Sequence, residues 1–504
     1  MRIFTCLALV FAFIAGVFAQ APPFITTQLD NYINEGMKAW QVPALSVVVV
    51  KDGQVVVRKG YGVANLNTKE PVDENTLFFI ASNSKLFTGT ALAHLETLGK
   101  LSLNDRIQKY YPDYRLYNDT SSAMVTIRDM LCHRIGTKTF QGDFTFLDGT
   151  LSREEIMYKM RYLKPTNSFR AAYGYCNSCF LTAGMVIPKV TGQSWEAFIT
   201  DSIILPLGMN NTYALSNDAP GKKNNATPYT NIFSGKLTEV PYDTWDNLGP
   251  AASILSNVKD LTNWLLFQLD SGRYDGKRIM PWPSLQKTRD VNVLTNSRKS
   301  STYPTHFVGY GLGLNVADYN GKQVYWHTGG AVGMLSNVCF VPEEKLGIAI
   351  LTTNDNQSFF EALRYQILDV YLGIEGTNRS AAMLKRFERE EKATMAQIDS
   401  LRQLVTGQKP PTTLEAFEGT YTNELYGNIQ VKATGKQLKV SFQHHPSLQA
   451  TLSFMSGNNW LLEYNNSEYG IFKTQASVNK DGSTSIVIKA NDFIEYDPYI
   501  FSKN

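Results

Sequence analysis

The chain has 504 residues, 43% hydrophobic and 18% charged, a balance that excludes a disordered protein and leaves room for more than one domain. Its 48 Lys and Arg against 45 Asp and Glu leave a net charge of +3. No dense basic block accompanies that charge, which argues against a nucleic-acid partner.

Residues 1–19 read as a secretory signal peptide: Arg2, an apolar run from Ile3 to Phe18, and a cleavage site at Val17-Phe18-Ala19 before Gln20. The run is short for a span of roughly 20 residues, so a secreted, extracellular protein without a membrane anchor is expected. Four cysteines follow the signal, Cys132, Cys176, Cys179 and Cys339, enough for two disulfide bonds. The C-x-x-C of Cys176 and Cys179 lacks the second pair that zinc would need, so structural or free thiols suit it better. Sequons at Asn118, Asn210, Asn225, Asn356, Asn378 and Asn465 are glycosylation candidates.

Taken in order, Leu29, Ile33 and Met37 have helical spacing. Ala44 to Lys51 reads as a buried strand, with Asp52-Gly53 turning into a partner at Gln54 to Arg58. A helix opened by Ser82 runs through Leu92 and Leu95 to Gly99, and Val125 to Leu131 predicts a capped helix leading to Cys132-His133. Further helices are expected at 153–163, from the 172–179 cluster to Gly192, over 194–204 and over 258–269, with a polar loop at 217–245. From residue 307 the period changes to that of antiparallel strands: Tyr310 to Leu314, Gln323 to His327, Ser336 to Val341 and Gly347 to Thr353, with a closing helix over 359–372. Strands at both ends with helices between them give an α+β domain over 20–380. A charged helical linker is expected at 381–411 and a small β-barrel at 412–504.

Three stretches carry possible chemistry. Ser82 and Lys85 lie one helical turn apart, and a desolvated lysine can activate a serine hydroxyl. Tyr175-Cys176-Asn177 supplies a hydroxyl that could take a proton if nearby cations lowered its pKa, and an amide that could hold the lysine or a substrate carbonyl. His327-Thr328-Gly329-Gly330 ends a strand, where glycines admit a substrate backbone and their N–H groups can face an oxyanion. No metal site is expected, because the six histidines show no ligand spacing, and no motif calls for a cofactor.

The order Ser-x-x-Lys, Tyr-x-Asn, His-Thr-Gly resembles the trio of β-lactamases and penicillin-binding proteins. With Val42 to Gly53, Val125 to His133, Val190 to Trp195, Pro206 to Met209 and Tyr310 to Gly313, the chain resembles the class C β-lactamase-like serine hydrolases (the S12 type of serine peptidase) over about 25–375. Gly419 to Asn423 and Tyr426-Gly427 resemble the lipocalin-like domain often appended to that family.

The resemblance implies an antiparallel sheet flanked by helices, with an all-helical subdomain. It makes Ser82 the acylated nucleophile and gives Lys85 and Tyr175 the acid–base work. Asn177 positions Lys85 or the substrate amide, and the N–H groups of Ser82 and Gly330 form the oxyanion hole. His327 stands where β-lactamases carry a lysine, so a small-molecule or peptide ester or amide is expected rather than a β-lactam. A second reading keeps the fold without the chemistry, as an extracellular matrix or binding protein.

Overall fold

The computed structural model describes residues 21–218, 221–242, 244–478, 482–495 and 497–503, so the expected signal peptide lies outside the described residues. The chain enters through a turn of π-helix and α1 (Leu29–Ala39), then forms the hairpin β1 (Ala44–Lys51) and β2 (Gln54–Gly62). A single 3₁₀ turn, Ala81–Asn83, leads into α2 (Ser84–Thr97). The helical subdomain follows, including α3 (Asn177–Gly184) and α4 (Val258–Leu269), with a further helix at Trp282–Arg289. The chain then returns through β3 (Val293–Asn296), β4 (Val308–Tyr310), β5 (Asn315–Tyr319), β6 (Lys322–Ala331), β7 (Met334–Val341) and β8 (Leu346–Thr353) to α5 (Phe359–Tyr371).

These strands make one eight-stranded sheet in the order β2-β1-β8-β7-β6-β5-β4-β3, antiparallel at every pairing. The first hairpin therefore pairs with the last strand, with Leu45 opposite Thr352 and Lys51 opposite Leu346. β1 and β8 are mostly apolar and buried along nearly their whole length because both faces are covered. Leu45, Val47 and Val49 join the cluster of α1 and α5. Val48 and Val50 face the opposite cluster, which holds Leu261 and Leu265 of α4.

The α+β class and the closure of the sheet by both ends of the domain are as expected from the sequence. Two local readings fail. Tyr310 to Leu314 is not one strand: β4 stops at Tyr310 and β5 starts at Asn315. The Gly-Leu-Gly between them is a close-approach turn, where a Cβ on Gly311 would lie 2.1 Å from the Thr288 carbonyl and one on Gly313 2.5 Å from that of Lys85. The helix expected from 172 to 192 is two helices, Asn177–Gly184 and Val186–Thr191.

A long helix, α6 (Arg379–Gln403), is capped by Asn378, whose side chain accepts from Ala381 N–H at 3.0 Å. Arg379 grips Asp369 of α5 through two nitrogens, at 2.6 and 3.2 Å. Beyond it, eight antiparallel strands close into a barrel: β9 (Gly419–Asn423), β10 (Gly427–Thr434), β11 (Gln437–Phe442), β12 (His445–Ser456), β13 (Asn459–Tyr464), β14 (Ile471–Val478), β15 (Thr484–Ile488) and β16 (Tyr499–Lys503). Its inward positions, among them Leu438, Val440, Leu452, Trp460 and Leu462, are buried side chains, so the interior is a packed core.

Candidate active site

The turn that carries Ser82 is pinned before any catalytic group is considered. Ile80 N–H donates to the Ile254 carbonyl at 3.0 Å. Asn83 Nδ2 donates to Ser336 Oγ at 2.8 Å, and Ser336 Oγ donates to the Ile80 carbonyl at 2.7 Å. The residue before the serine, Ala81, has φ +47°, a left-handed conformation that costs about 1 kcal/mol or more in a residue with a Cβ. The turn is thus held against strain by its neighbours, a pattern common at functional sites.

Lys85 follows one turn later and is fully buried. Its Nζ has three partners: Asn177 Oδ1 at 2.6 Å, the Ala251 carbonyl at 2.9 Å and Ser82 Oγ at 3.0 Å. Two of these can only accept. A neutral amine has two hydrogens and one lone pair, so the lone pair is left facing the serine hydroxyl. Burial lowers the Lys85 pKa to about 7, with the charges of Asp143 and Cys176 acting the other way. The free base is therefore well populated at neutral pH.

Tyr175 hydrogen-bonds to the Ser82 side chain, and its ring lies under Lys85 with Nζ 4.8 Å from the ring centroid. The sequence reading needed a lowered phenol pKa, but burial pushes Tyr175 well above the ordinary range. Burial thus favours the neutral hydroxyl at Tyr175. His133 supports it from behind. The His133 ring lies 4.4 Å from that of Tyr175, and its Nδ1 accepts from Cys176 N–H at 2.9 Å.

Asn177 opens α3, where every residue is buried. Its Nδ2 donates to Asp143 Oδ2 at 2.6 Å, which turns its carbonyl oxygen toward Lys85. Asp143 itself is buried and held well above the ordinary carboxylic range by desolvation. Sequence reasoning missed both Asp143 and the Ala251 carbonyl. Asp143 lies in a loop with no periodic pattern, and a backbone carbonyl has no sequence signature.

The third stretch differs from expectation in detail. His327 sits within the wall of the site, with both ring nitrogens occupied. Nδ1 lies 2.7 Å from the Thr328 carbonyl, which can only accept, so the ring carries its proton there. Nε2 then accepts from the Tyr310 hydroxyl at 2.9 Å. Burial lowers the His327 pKa to about 3, which favours the neutral ring with its one proton on Nδ1. A Cβ on Gly329 would lie 2.0 Å from the Ile80 carbonyl, so the glycine lets this strand meet the Ser82 turn. Gly330 is exposed, and a Cβ there would make only an ordinary contact with Leu335 at 3.5 Å; Thr328 is half-buried with its Oγ accepting from Asn337 at 3.0 Å.

The expected disulfides are not formed: Cys132, Cys176, Cys179 and Cys339 are buried free thiols. Cys176 and Cys179 hydrogen-bond to each other, Cys132 donates to the Gly311 carbonyl at 3.5 Å, and Cys339 lies in the separate cluster of α1 and α5. Among the sequons, Asn118, Asn210, Asn378 and Asn465 are exposed, whereas Asn225 and Asn356 are half-buried. The Nδ2 of Asn356, the atom a glycan would need, is buried. Among the described residues no group of His, Cys, Asp and Glu could hold a metal ion, and no helix is long and apolar enough to cross a membrane.

A serine under a buried lysine, on a helix beside an antiparallel sheet, defines a β-lactamase-like serine hydrolase site. The family model for beta-lactamase matches residues 29–372, and the chain belongs to that family. A second model, a domain of unknown function (DUF3471), matches residues 404–501.

Among curated proteins, "Protein flp" of Staphylococcus aureus (strain MRSA252) is 26% identical over 355 residues, 68% of this chain and 66% of that protein. The chain thus spans just under two thirds of that relative. "Unguisins hydrolase ungD'" of Aspergillus campestris is 28% identical over 429 residues, 79% of this chain and 76% of that protein. Among solved structures, the octameric penicillin-binding protein homologue from Pyrococcus abyssi covers 94% of this chain and 99% of its own, with a TM-score of 0.60 and 22% identity. That likeness concerns the fold.

Proposed function

We propose that the protein is a secreted serine hydrolase that cleaves an ester or amide bond through an acyl-enzyme on Ser82. One observation carries the reading: the Lys85 amine, buried between two carbonyl acceptors, has only the Ser82 hydroxyl left for its lone pair.

Lys85 takes the Ser82 proton as Oγ attacks the substrate carbonyl carbon. The oxyanion forms against the backbone N–H groups of Ser82 and Gly330. As the bond to the leaving group breaks, the proton passes from Lys85 through the neutral Tyr175 hydroxyl to that group. Water then attacks the acyl carbonyl and gives a proton to Lys85, and Ser82 leaves with a proton returned to it.

The neutral His327 offers no permanent cation to a substrate carboxylate, which supports an uncharged ester or amide over a β-lactam. The test is a fluorophosphonate probe together with p-nitrophenyl esters, D-amino-acid amides and a chromogenic β-lactam. Ser82→Ala is expected to lower turnover by ~10⁴-fold or more while leaving the fold intact. Folded parent protein that neither labels at Ser82 nor hydrolyses any of the panel would overturn the reading in favour of an extracellular binding protein. Secretion is checked by the N-terminus of protein recovered from the medium, expected at Gln20.

A further inference from the structure

Among the described residues, the C-terminal barrel meets the catalytic domain near the active site at one end. The connections 423–427, 442–445, 464–471 and 488–499 all lie at that end, as the antiparallel order requires. Facing it is segment 138–150 of the catalytic domain, which also carries Asp143.

The barrel grips this segment along its length. Lys138 pairs with Asp497 at 2.6 Å, and Thr150 N–H donates to the His444 carbonyl at 2.9 Å. Between these, Gly142 N–H donates to Glu495 Oε2 at 2.7 Å, and the same oxygen takes the Tyr426 hydroxyl. Phe144 is inserted among aromatic rings at the barrel end. It stacks on His445 at 4.2 Å between centroids, with Tyr426 at 5.2 Å, Phe442 at 5.6 Å and Tyr469 at 6.0 Å meeting it edge-on. Asp143, between the two gripped residues, turns the other way and accepts from Asn177 Nδ2.

We propose that the barrel is a positioning module for catalysis: by clasping Gly142 and Phe144 it holds Asp143 against Asn177, which keeps the Asn177 carbonyl oxygen on Lys85. An asparagine amide is nearly symmetric in shape and can turn over to exchange its oxygen and nitrogen. Without a fixed acceptor at Asp143, Asn177 could present its NH₂ to Lys85. The lysine would then lose an acceptor and have a donor aimed at it, which disfavours the ammonium form. Asp143, Asn177 and Phe144 are each almost fully buried, so the arrangement is shielded from solvent. The segment's own domain also anchors its flanks, with Phe140 N–H on the Tyr175 carbonyl at 2.8 Å and Gln141 on the Lys164 carbonyl at 2.9 Å. At Gly142 and Phe144 the grip comes from the barrel.

The proposal rests on Lys85 as the base, but its test does not require turnover. Full-length Phe144→Ala, Glu495→Gln and Asp143→Ala are labelled with ¹³Cε-lysine and titrated by NMR, with Lys85 assigned through Lys85→Arg. The groups facing Lys85 are Asp143 and Cys176, which favour its charge when they are themselves ionised, the neutral rings of His133 and His327, and the Tyr175 and Ser82 hydroxyls.

The Lys85 titration is expected to fall by ~0.5–1 pH unit in Phe144→Ala and Asp143→Ala, and by less in Glu495→Gln. The acidic limb of kcat/KM on a p-nitrophenyl ester should move with it, and kcat should drop ~10-fold or more with KM little changed. Trp460→Phe, at the opposite end of the barrel, should lower Tm without moving the Lys85 titration. Folded Phe144→Ala protein with the parental Lys85 titration would overturn the clasp, as would an equal shift in Trp460→Phe. If Phe144→Ala does not fold, Phe144→Leu and Glu495→Gln decide the same point. An inactive, unlabelled parent instead counts against the hydrolase reading, while the NMR titration still decides the clasp.

Discussion

A lysine surrounded by two carbonyl oxygens and one hydroxyl is expensive to bury as a cation, and that expense makes it a base near neutral pH. With Lys85 near 7, kcat/KM should fall with unit slope as pH drops below about 7, because only the free amine accepts the serine proton. His327→Gln should leave that limb in place, since His327 does not titrate above about 3. A limb that followed the histidine would reverse their roles. At this scale Ser82, Lys85, Tyr175 and Asn177 were legible, because the order and spacing of short motifs survive in the sequence. The proton affinity of Tyr175 was not, because it is set by burial. Asp143 was not either, because what makes it matter is an asparagine 34 positions away.

The elements meet at glycines. Gly329 lets β6 touch the Ser82 turn, and Gly89 lets α2 approach the Leu312 carbonyl, where a Cβ would lie 2.0 Å away in each case. Gly329→Ala is therefore expected to displace the nucleophile, lowering kcat by ~10²-fold. It should also lower stability by ~1–3 kcal/mol, read by urea unfolding. Apolar periodicity located β1, α4, β7, β8 and α5 because their burial is regular. It failed at 310–314, where Gly311 and Gly313 serve close backbone contact and not strand pairing.

For the whole molecule, Lys85 couples the site to stability. Its folded pKa is lowered from 10.5 to about 7, so between those values the unfolded chain holds a proton that the folded chain lacks. Stability should therefore rise with pH across roughly 7 to 10.5, and Lys85→Met should remove that part of the slope when the two proteins are compared by denaturant unfolding. Fold class was legible at this scale, from strands at both ends and helices between. The docking of barrel on loop was not, since it joins residues such as Gly142 and Glu495, whose individual types announce nothing.

The pairing of β1 with β8 also sets a timetable. β1 leaves the ribosome with two apolar faces, and the strand that completes its ladder follows about 300 positions later. At ~5–20 residues per second the first hairpin waits ~15–60 s for that partner. During synthesis the hairpin is a sticky, unfinished edge, and a holding chaperone would have its longest task there.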